Sequence, residues 1–180
     1  MPISRIIFFP AAADQSIENS LIIATLIDIE FALPTIEKTH QHLPGERFLS
    51  LLTFLGCSPN INLSPTEGEN YCAISLLKPT DCTVCLGFTQ NSQPKCPNCK
   101  KRIANWKTAD WQQKKHTCKC DKCMTYTAYA ELNWKHECGF GRCGFEISHI
   151  YPHEAVPTEQ LLNALHQSTG SQWQYCYANN

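Results

Sequence analysis

CPNC at residues 96–99 is followed, after twenty intervening residues, by CDKC at residues 120–123. Two Cys-x2-Cys hooks at this spacing are typical of a closed, tetrahedral zinc site with four cysteine ligands. Each hook is a tight turn that aims two thiolates at one point, and the stretch between them is long enough to fold back as a hairpin. The predicted ligands of one Zn²⁺ ion are Cys96, Cys99, Cys120 and Cys123. Zinc binding would fold a segment that has little core of its own.

Further cysteines leave the number of zinc ions and the ligand pairing open. Cys118 precedes Cys120 by two positions and is an alternative third ligand, although Cys120 makes the better hook with Cys123. A second zinc ion could be held across the base of the zinc segment by Cys82, Cys85, Cys138 and Cys143. Alternatively, Cys82 and Cys85 could join the first hook, which would leave a second site to Cys118, Cys120, Cys123 and Cys138. The simpler alternative is that the extra cysteines are free or buried thiols.

The abundance of cysteine, 12 in 180 residues, also bears on the compartment. Such a content means disulfides in a secreted chain, but metal ligands or free thiols in a reducing cytosol. Pairing in hooks and a hydrophobic content of 43% favour a cytoplasmic metal-binding protein. The apolar run at residues 5–9 starts too early and is too short for a signal peptide, so we interpret it as a strand. Isolated cysteines in apolar or aromatic runs are expected to be small buried residues: Cys57, Cys72 and Cys176.

Charge is distributed unevenly along the chain although the formal net charge is only −1. Residues 95–122 carry nine Lys or Arg and two Asp, whereas residues 1–75 carry three basic and eight acidic groups. Aromatic side chains interleaved with cations are the parts of a single-stranded nucleic-acid platform. The predicted contact residues are Lys100, Lys101, Arg102, Trp106, Lys107, Trp111, Lys114 and Lys115. Alternatively, both Trp pack against the zinc hooks and the lysines are solvated surface.

Outside the zinc segment, hydrophobic patterns alternate between strand and helix. Strands are predicted at residues 5–9, 47–55, 71–77, 125–134, 143–150 and 173–177, and helices at residues 16–29 and 157–169. This order predicts an α+β fold with one mixed or antiparallel sheet, helices on one face and a candidate ferredoxin-like topology. A zinc module at 80–125 would be inserted into a discontinuous domain formed by 1–79 and 126–180.

The segment KCPNCKKRIANWK…KHTCKCDKC resembles a zinc ribbon over residues 94–125, with a proline inside the first hook and a basic residue after it. The resemblance implies a zinc-stabilised β-hairpin module. Modules of this class serve nucleic-acid contact, protein contact or a purely structural role. The whole chain loosely resembles uncharacterised bacterial proteins that contain zinc ribbons, and that resemblance implies no activity.

The motifs favour a binding or adaptor protein over an enzyme. The chain has no His-Glu-x2-His, no Walker A pattern, and no His-x-Glu upstream of the hooks as a nucleobase deaminase requires. Cys82 and Cys85 could be a redox dithiol, but no predicted helix follows to lower a thiolate pKa. No apolar stretch reaches the roughly 18 residues of a membrane span. We expect docking on nucleic acid or a ribonucleoprotein, with protein–protein interaction as the alternative and a zinc or thiol enzyme as a disfavoured third.

Overall fold

The computed structural model of the protein describes residues 3–35, 41–55, 61–65, 70–108, 111–112 and 117–179. The helices are α1 (Asn19–Asp28) and α2 (Glu159–Thr169), with a 3₁₀ turn at Tyr129–Glu131. The strands are β1 (Arg5–Pro10), β2 (Gln41–His42), β3 (Leu52–Phe54), β4 (Ile74–Leu76), β5 (Val84–Phe88), β6 (Thr117–Lys119), β7 (Tyr126–Ala128), β8 (Cys138–Gly141), β9 (Phe145–Ser148), β10 (Ala155–Pro157) and β11 (Trp173–Ala178).

A five-stranded antiparallel sheet in the order β11-β1-β9-β4-β2 forms the centre of the fold. The predicted α+β class is therefore confirmed. The chain also forms three two-stranded pairs, β10–β3, β5–β8 and β6–β7, where the sequence predicted one sheet. The succession β1, α1, β4, β9, α2, β11 is the β-α-β-β-α-β order of a ferredoxin-like arrangement. That arrangement stays a prediction.

The two faces of the central sheet pack against different parts of the chain. Side chains alternate along a strand, so Ile6 and Phe8 of β1 lie on one face while Ile7 and Phe9 lie on the other. The first face joins the main core, which also contains the helix residues Ile22, Leu26, Leu161 and Leu165. The second face forms a smaller cluster with Cys176 and Leu86. The helices therefore cover one face, as predicted, and the β5–β8 ribbon lies on the other.

Helix α2 has the ends that its sequence indicates. Thr158 caps the N-terminus, since its side-chain oxygen accepts a hydrogen bond from the Leu161 amide. Gly170 ends the helix in the left-handed conformation, at φ 69°.

The predicted strand at 47–55 is shorter in the structure, because residues 46–50 form a turn in which the amides of Ser50 and Leu51 donate to the Arg47 carbonyl. No helix in the described part of the chain is long and apolar enough to cross a membrane.

The β5–β8 ribbon is the base from which the zinc segment extends. Strands β5 and β8 pair antiparallel with a register shift between Cys85 and Gly87, and the chain between them contains both hooks. Gly139 of β8 lies so close to the central sheet that a Cβ there would be 2.5 Å from Phe9 Cε1 and 2.7 Å from Cys176 Sγ. This close approach seats the base of the zinc segment on β1 and β11. The predicted division into domains stays a prediction.

Candidate metal centre

The structure brings the four hook cysteines together at one point. The Sγ atoms of Cys96, Cys99, Cys120 and Cys123 all lie within 4.8 Å of one another. Cys96 Sγ is 3.6 Å from Cys123 Sγ, and Cys99 Sγ is 3.6 Å from Cys120 Sγ. A tetrahedral zinc ion with Zn–S bonds of about 2.3 Å needs sulfur atoms about 3.8 Å apart. The four thiols therefore fit a closed zinc site, with one pair supplied by each hook.

Both hooks achieve this convergence with the same backbone geometry. In the first, the Lys100 amide donates to the Cys96 carbonyl over 2.9 Å, and the Cys96 amide donates to the Lys101 carbonyl over 2.9 Å. In the second, the Met124 amide donates to the Cys120 carbonyl over 2.8 Å, and the Cys120 amide donates to the Thr125 carbonyl over 2.9 Å. These paired bonds close each turn, so that both thiols of a hook point to the same side.

The equivalence of the hooks extends to the residues that flank them. Lys95, just before the first hook, is bridged to Arg102 across the turn. Lys119, just before the second hook, pairs with Tyr126 in the β6–β7 hairpin. Residues 95–102 (KCPNCKKR) and 119–126 (KCDKCMTY) are therefore two copies of one small hairpin. The shared Lys-Cys-x2-Cys pattern is the sequence feature that could have revealed this repeat.

Hydrogen bonds around the second hook favour a thiolate. Cys123 Sγ lies 3.4 Å from the Thr125 hydroxyl oxygen, and hydrogen bonds from the Thr125 side chain and backbone to the sulfur lower the pKa of Cys123 to about 6. A backbone hydrogen bond from Lys101 lowers the pKa of Cys99. Desolvation and the three neighbouring thiols outweigh that bond and raise the pKa to about 11. Crowded thiols resist losing every proton unless a cation compensates their charge, which is the role that zinc has in such a cluster.

Cys118 is not part of the group. Its thiol is buried, which raises its pKa, and it donates to the Lys119 carbonyl over 3.9 Å. It packs in the core cluster beneath the hooks with Tyr129 and Trp106. Of the two candidates for the third ligand, the structure therefore places Cys120 with the other three cysteines.

The candidate second site does not converge in the same way. Cys85 Sγ and Cys138 Sγ are 3.8 Å apart. Cys143 is turned into the main core, where its sulfur accepts a hydrogen bond from the Ile17 amide over 3.2 Å, and Cys82 is exposed. Among the described residues, the four hook cysteines are the one group of three or more metal-ligating side chains close enough to share an ion.

The remaining cysteines that the structure describes are free thiols. Cys72 and Cys176 are buried, as expected for small core residues, and desolvation raises the pKa of Cys72 to about 12. Cys57 lies outside the described residues.

Trp106 and Trp111 lie inside the zinc segment and not on its surface. Their relative exposures are 4% and 8%, and their rings meet edge to face with centroids 4.7 Å apart. Trp134 packs against Trp106 with ring centroids 5.0 Å apart. The two tryptophans therefore form part of the core under the hooks, in agreement with the packing alternative, and their ring faces are not open to a base.

The described cations of the predicted contact surface are exposed: Lys100, Lys101, Arg102 and Lys107. Lys114 and Lys115 lie outside the described residues. Two further cations, Lys95 and Lys135, lie beside each other, although the sequence prediction did not select them. The charge of Lys135 lowers the pKa of Lys95, and Arg102 has a smaller effect in the same direction. Among the described residues, the one salt bridge is Arg5–Glu146. The cations of the zinc segment therefore have no carboxylate partner in the described chain.

A cavity of about 290 Å³ lies between the central sheet and residues 130–140, which follow the second hook, with Phe9, Trp134, His136 and Tyr175 among its lining residues. None of the four clustered cysteines lines it, so the cavity and the candidate metal centre are separate.

Comparison of the chain with protein-family models, with curated proteins and with solved structures gives no match.

Proposed function

We propose that the protein is a zinc-binding adaptor in which one Zn²⁺ ion fixes a basic surface that docks on nucleic acid or a ribonucleoprotein. The convergence of Cys96, Cys99, Cys120 and Cys123 carries this proposal, since four thiolates fill all four positions of a tetrahedral ion. A catalytic zinc ion keeps a position open for water or substrate. The closed site therefore supports a structural role for the metal.

The charge around the site supports an anionic partner. The described residues 95–108 and 117–126 contain seven Lys or Arg and one acid, Asp121. A zinc ion with four thiolates has a formal charge of about −2, which leaves this segment with a net charge of about +4. A cluster of cations without carboxylate partners is the electrostatic footprint of a phosphate-binding surface. Because Trp106 and Trp111 are buried, the docking depends on these cations and not on the tryptophan rings.

The test is binding of the zinc-loaded full chain to fluorescein-labelled oligonucleotides between about 50 and 200 mM salt. The double variant Lys100→Gln/Lys101→Gln should bind more weakly, by a similar factor for every sequence. The slope of log affinity against log salt should also become shallower by about 1 to 2. Zinc content should not change, because these side chains are exposed and do not ligate the metal.

The control is Lys78→Gln, which removes an exposed lysine outside the zinc segment and should leave affinity and salt slope as in the wild type. Binding that is absent, or equal in the wild type and the double variant, contradicts nucleic-acid docking. A second candidate, protein–protein interaction, is favoured by the exposed apolar side chain of Met124 beside the second hook. A protein partner held by apolar contact should tolerate salt, which separates the two candidates.

A further inference from the structure

Tyr126, three residues after the last cysteine of the second hook, presents an aromatic side chain to solvent. It is 65% exposed and lies in β7, directly across the hairpin from Lys119. Lys119 Nζ is 5.6 Å from the Tyr126 ring centroid, which is within the range of a cation–π contact. Trp106 and Trp111 are buried, but Tyr126 supplies an accessible aromatic ring next to a cation on the second hook.

The first hook, which carries Lys100, Lys101 and Arg102, is attached to the hairpin that carries Tyr126. Tyr126 occupies the position in the second hook that Arg102 occupies in the first, because the two hairpins share one architecture. The two hooks are joined by the paired thiols and by a hydrogen bond of 3.2 Å from the Asn98 side-chain Nδ2 to the Thr125 hydroxyl. The tyrosine ring thus extends from a rigid hairpin that is fastened to the lysine-rich hook.

We propose that Tyr126 stacks on an unpaired base of a single-stranded nucleic acid while Lys119 and the first-hook cations contact its phosphates. This inference rests on the proposed function and names the form of nucleic acid that the surface recognises. Single-strand sites combine cations that follow the backbone with aromatic rings on which bases stack. Bases in a duplex are stacked on one another, so a ring of this kind selects single strands.

A second exposed tyrosine shows what distinguishes Tyr126. Tyr151 is 61% exposed, so the two rings are equally accessible. The Tyr151 amide donates to the Glu154 carboxylate over 3.0 Å, and residues 149–156 contain no Lys or Arg. Tyr151 therefore offers the same ring without the cations, and it serves as the matched control.

The experiment compares binding of the zinc-loaded full chain to fluorescein-labelled oligodeoxythymidine and to its duplex with oligodeoxyadenosine. Tyr126→Leu should weaken single-strand binding by at least about fivefold, the lower end for loss of one stacked base. Tyr126→Phe should remain within about twofold of the wild type, because the ring is retained. Tyr151→Leu should have no effect. The salt slope of Tyr126→Leu should match the wild type, because no charge is removed.

The outcomes separate the two proposals. If the wild type binds with strong salt dependence but Tyr126→Leu binds the single strand equally well, stacking is wrong and the proposed docking survives. Equal affinity of the wild type for single strand and duplex also overturns the stacking proposal. If the wild type binds neither oligonucleotide, both proposals are wrong.

Discussion

Each hook contains a residue other than glycine in the left-handed conformation, directly after its second cysteine. Lys100 has φ 61° and Met124 has φ 62°. This conformation costs an L-residue about 1–2 kcal/mol, and it persists only where surrounding interactions determine it. Here the amide of each residue donates to the carbonyl of the first cysteine in its hook. A zinc ion bound by the four thiols, as proposed, would hold both turns in this shape.

The choice between Cys118 and Cys120 gives a test at the level of single residues. Cys120→Ser should reduce zinc from about one per chain to none, because it removes one of four thiolates from the closed site. Cys118→Ser should retain about one zinc per chain, because Cys118 is not among the clustered thiols. Elemental analysis of both variants, purified under reducing conditions without chelator, measures this. Loss of zinc from Cys118→Ser with retention in Cys120→Ser would reverse the assignment.

Among the elements, the zinc segment packs on a small aromatic core. Trp106, Trp111 and Trp134 pack together beneath the hooks, and the Tyr129 hydroxyl donates to the Trp106 carbonyl over 2.6 Å. A module with few core positions uses large rings to bury enough apolar surface. The tryptophans therefore stabilise the module that displays the lysines.

Truncation of one of these rings tests that role. Trp106→Ala should lower the free energy of unfolding by about 3–5 kcal/mol, as expected for the loss of a buried aromatic side chain. Tyr126→Ala, which truncates an exposed ring in the same segment, should change it by no more than about 0.5 kcal/mol. Urea unfolding of the zinc-loaded proteins measures both values. Equal effects of the two substitutions would contradict the distinction between a buried and a presented ring.

Elements with strong local patterns were predictable from the sequence. The helix at 157–169 is found at Glu159–Thr169, since its apolar spacing and both of its ends are local features. The two hooks were predictable for the same reason, because Cys-x2-Cys spacing brings two thiols to one side of a turn, whereas the meeting of Cys120 with the first hook is a tertiary feature. The β5–β8 ribbon was not predicted, because its pairing joins residues fifty or more positions apart and depends on Gly139 fitting against Phe9.

Which aromatic rings are buried and which are exposed could also not be predicted from the sequence. Trp106 and Tyr126 both stand near basic residues, and nothing in that neighbourhood says which ring is buried. Packing between Trp106, Trp111 and Trp134 decides it, and that packing involves a residue on the far side of the second hook. The residues predicted for contact thus combined exposed cations with two core rings.

At the scale of the whole molecule, Gly139 lies where the base of the zinc segment approaches the central sheet most tightly among the described glycines of β8. Gly139→Ala should lower the free energy of unfolding by about 1–3 kcal/mol, because its Cβ would overlap Phe9 and Cys176 in a closely packed layer. Gly141→Ala is the matched control in the same strand, since its Cβ would meet the end of the Leu86 side chain at 3.0 Å and otherwise make ordinary contacts with Phe9 Cβ at 3.6 Å and the Cys143 carbonyl at 3.7 Å. Thermal unfolding should therefore show the larger loss for Gly139→Ala. An equal or larger loss for Gly141→Ala would mean that the two layers do not meet at Gly139.

The most direct test of this account is zinc-edge X-ray absorption on the full chain, combined with its zinc content. We predict about one zinc ion per chain with four sulfur ligands at about 2.3 Å and no nitrogen or oxygen ligand. That result would establish a closed site built by the two hooks. Absence of metal, or a shell in which nitrogen or oxygen replaces sulfur, would contradict the central claim that a structural four-cysteine zinc site organises this segment.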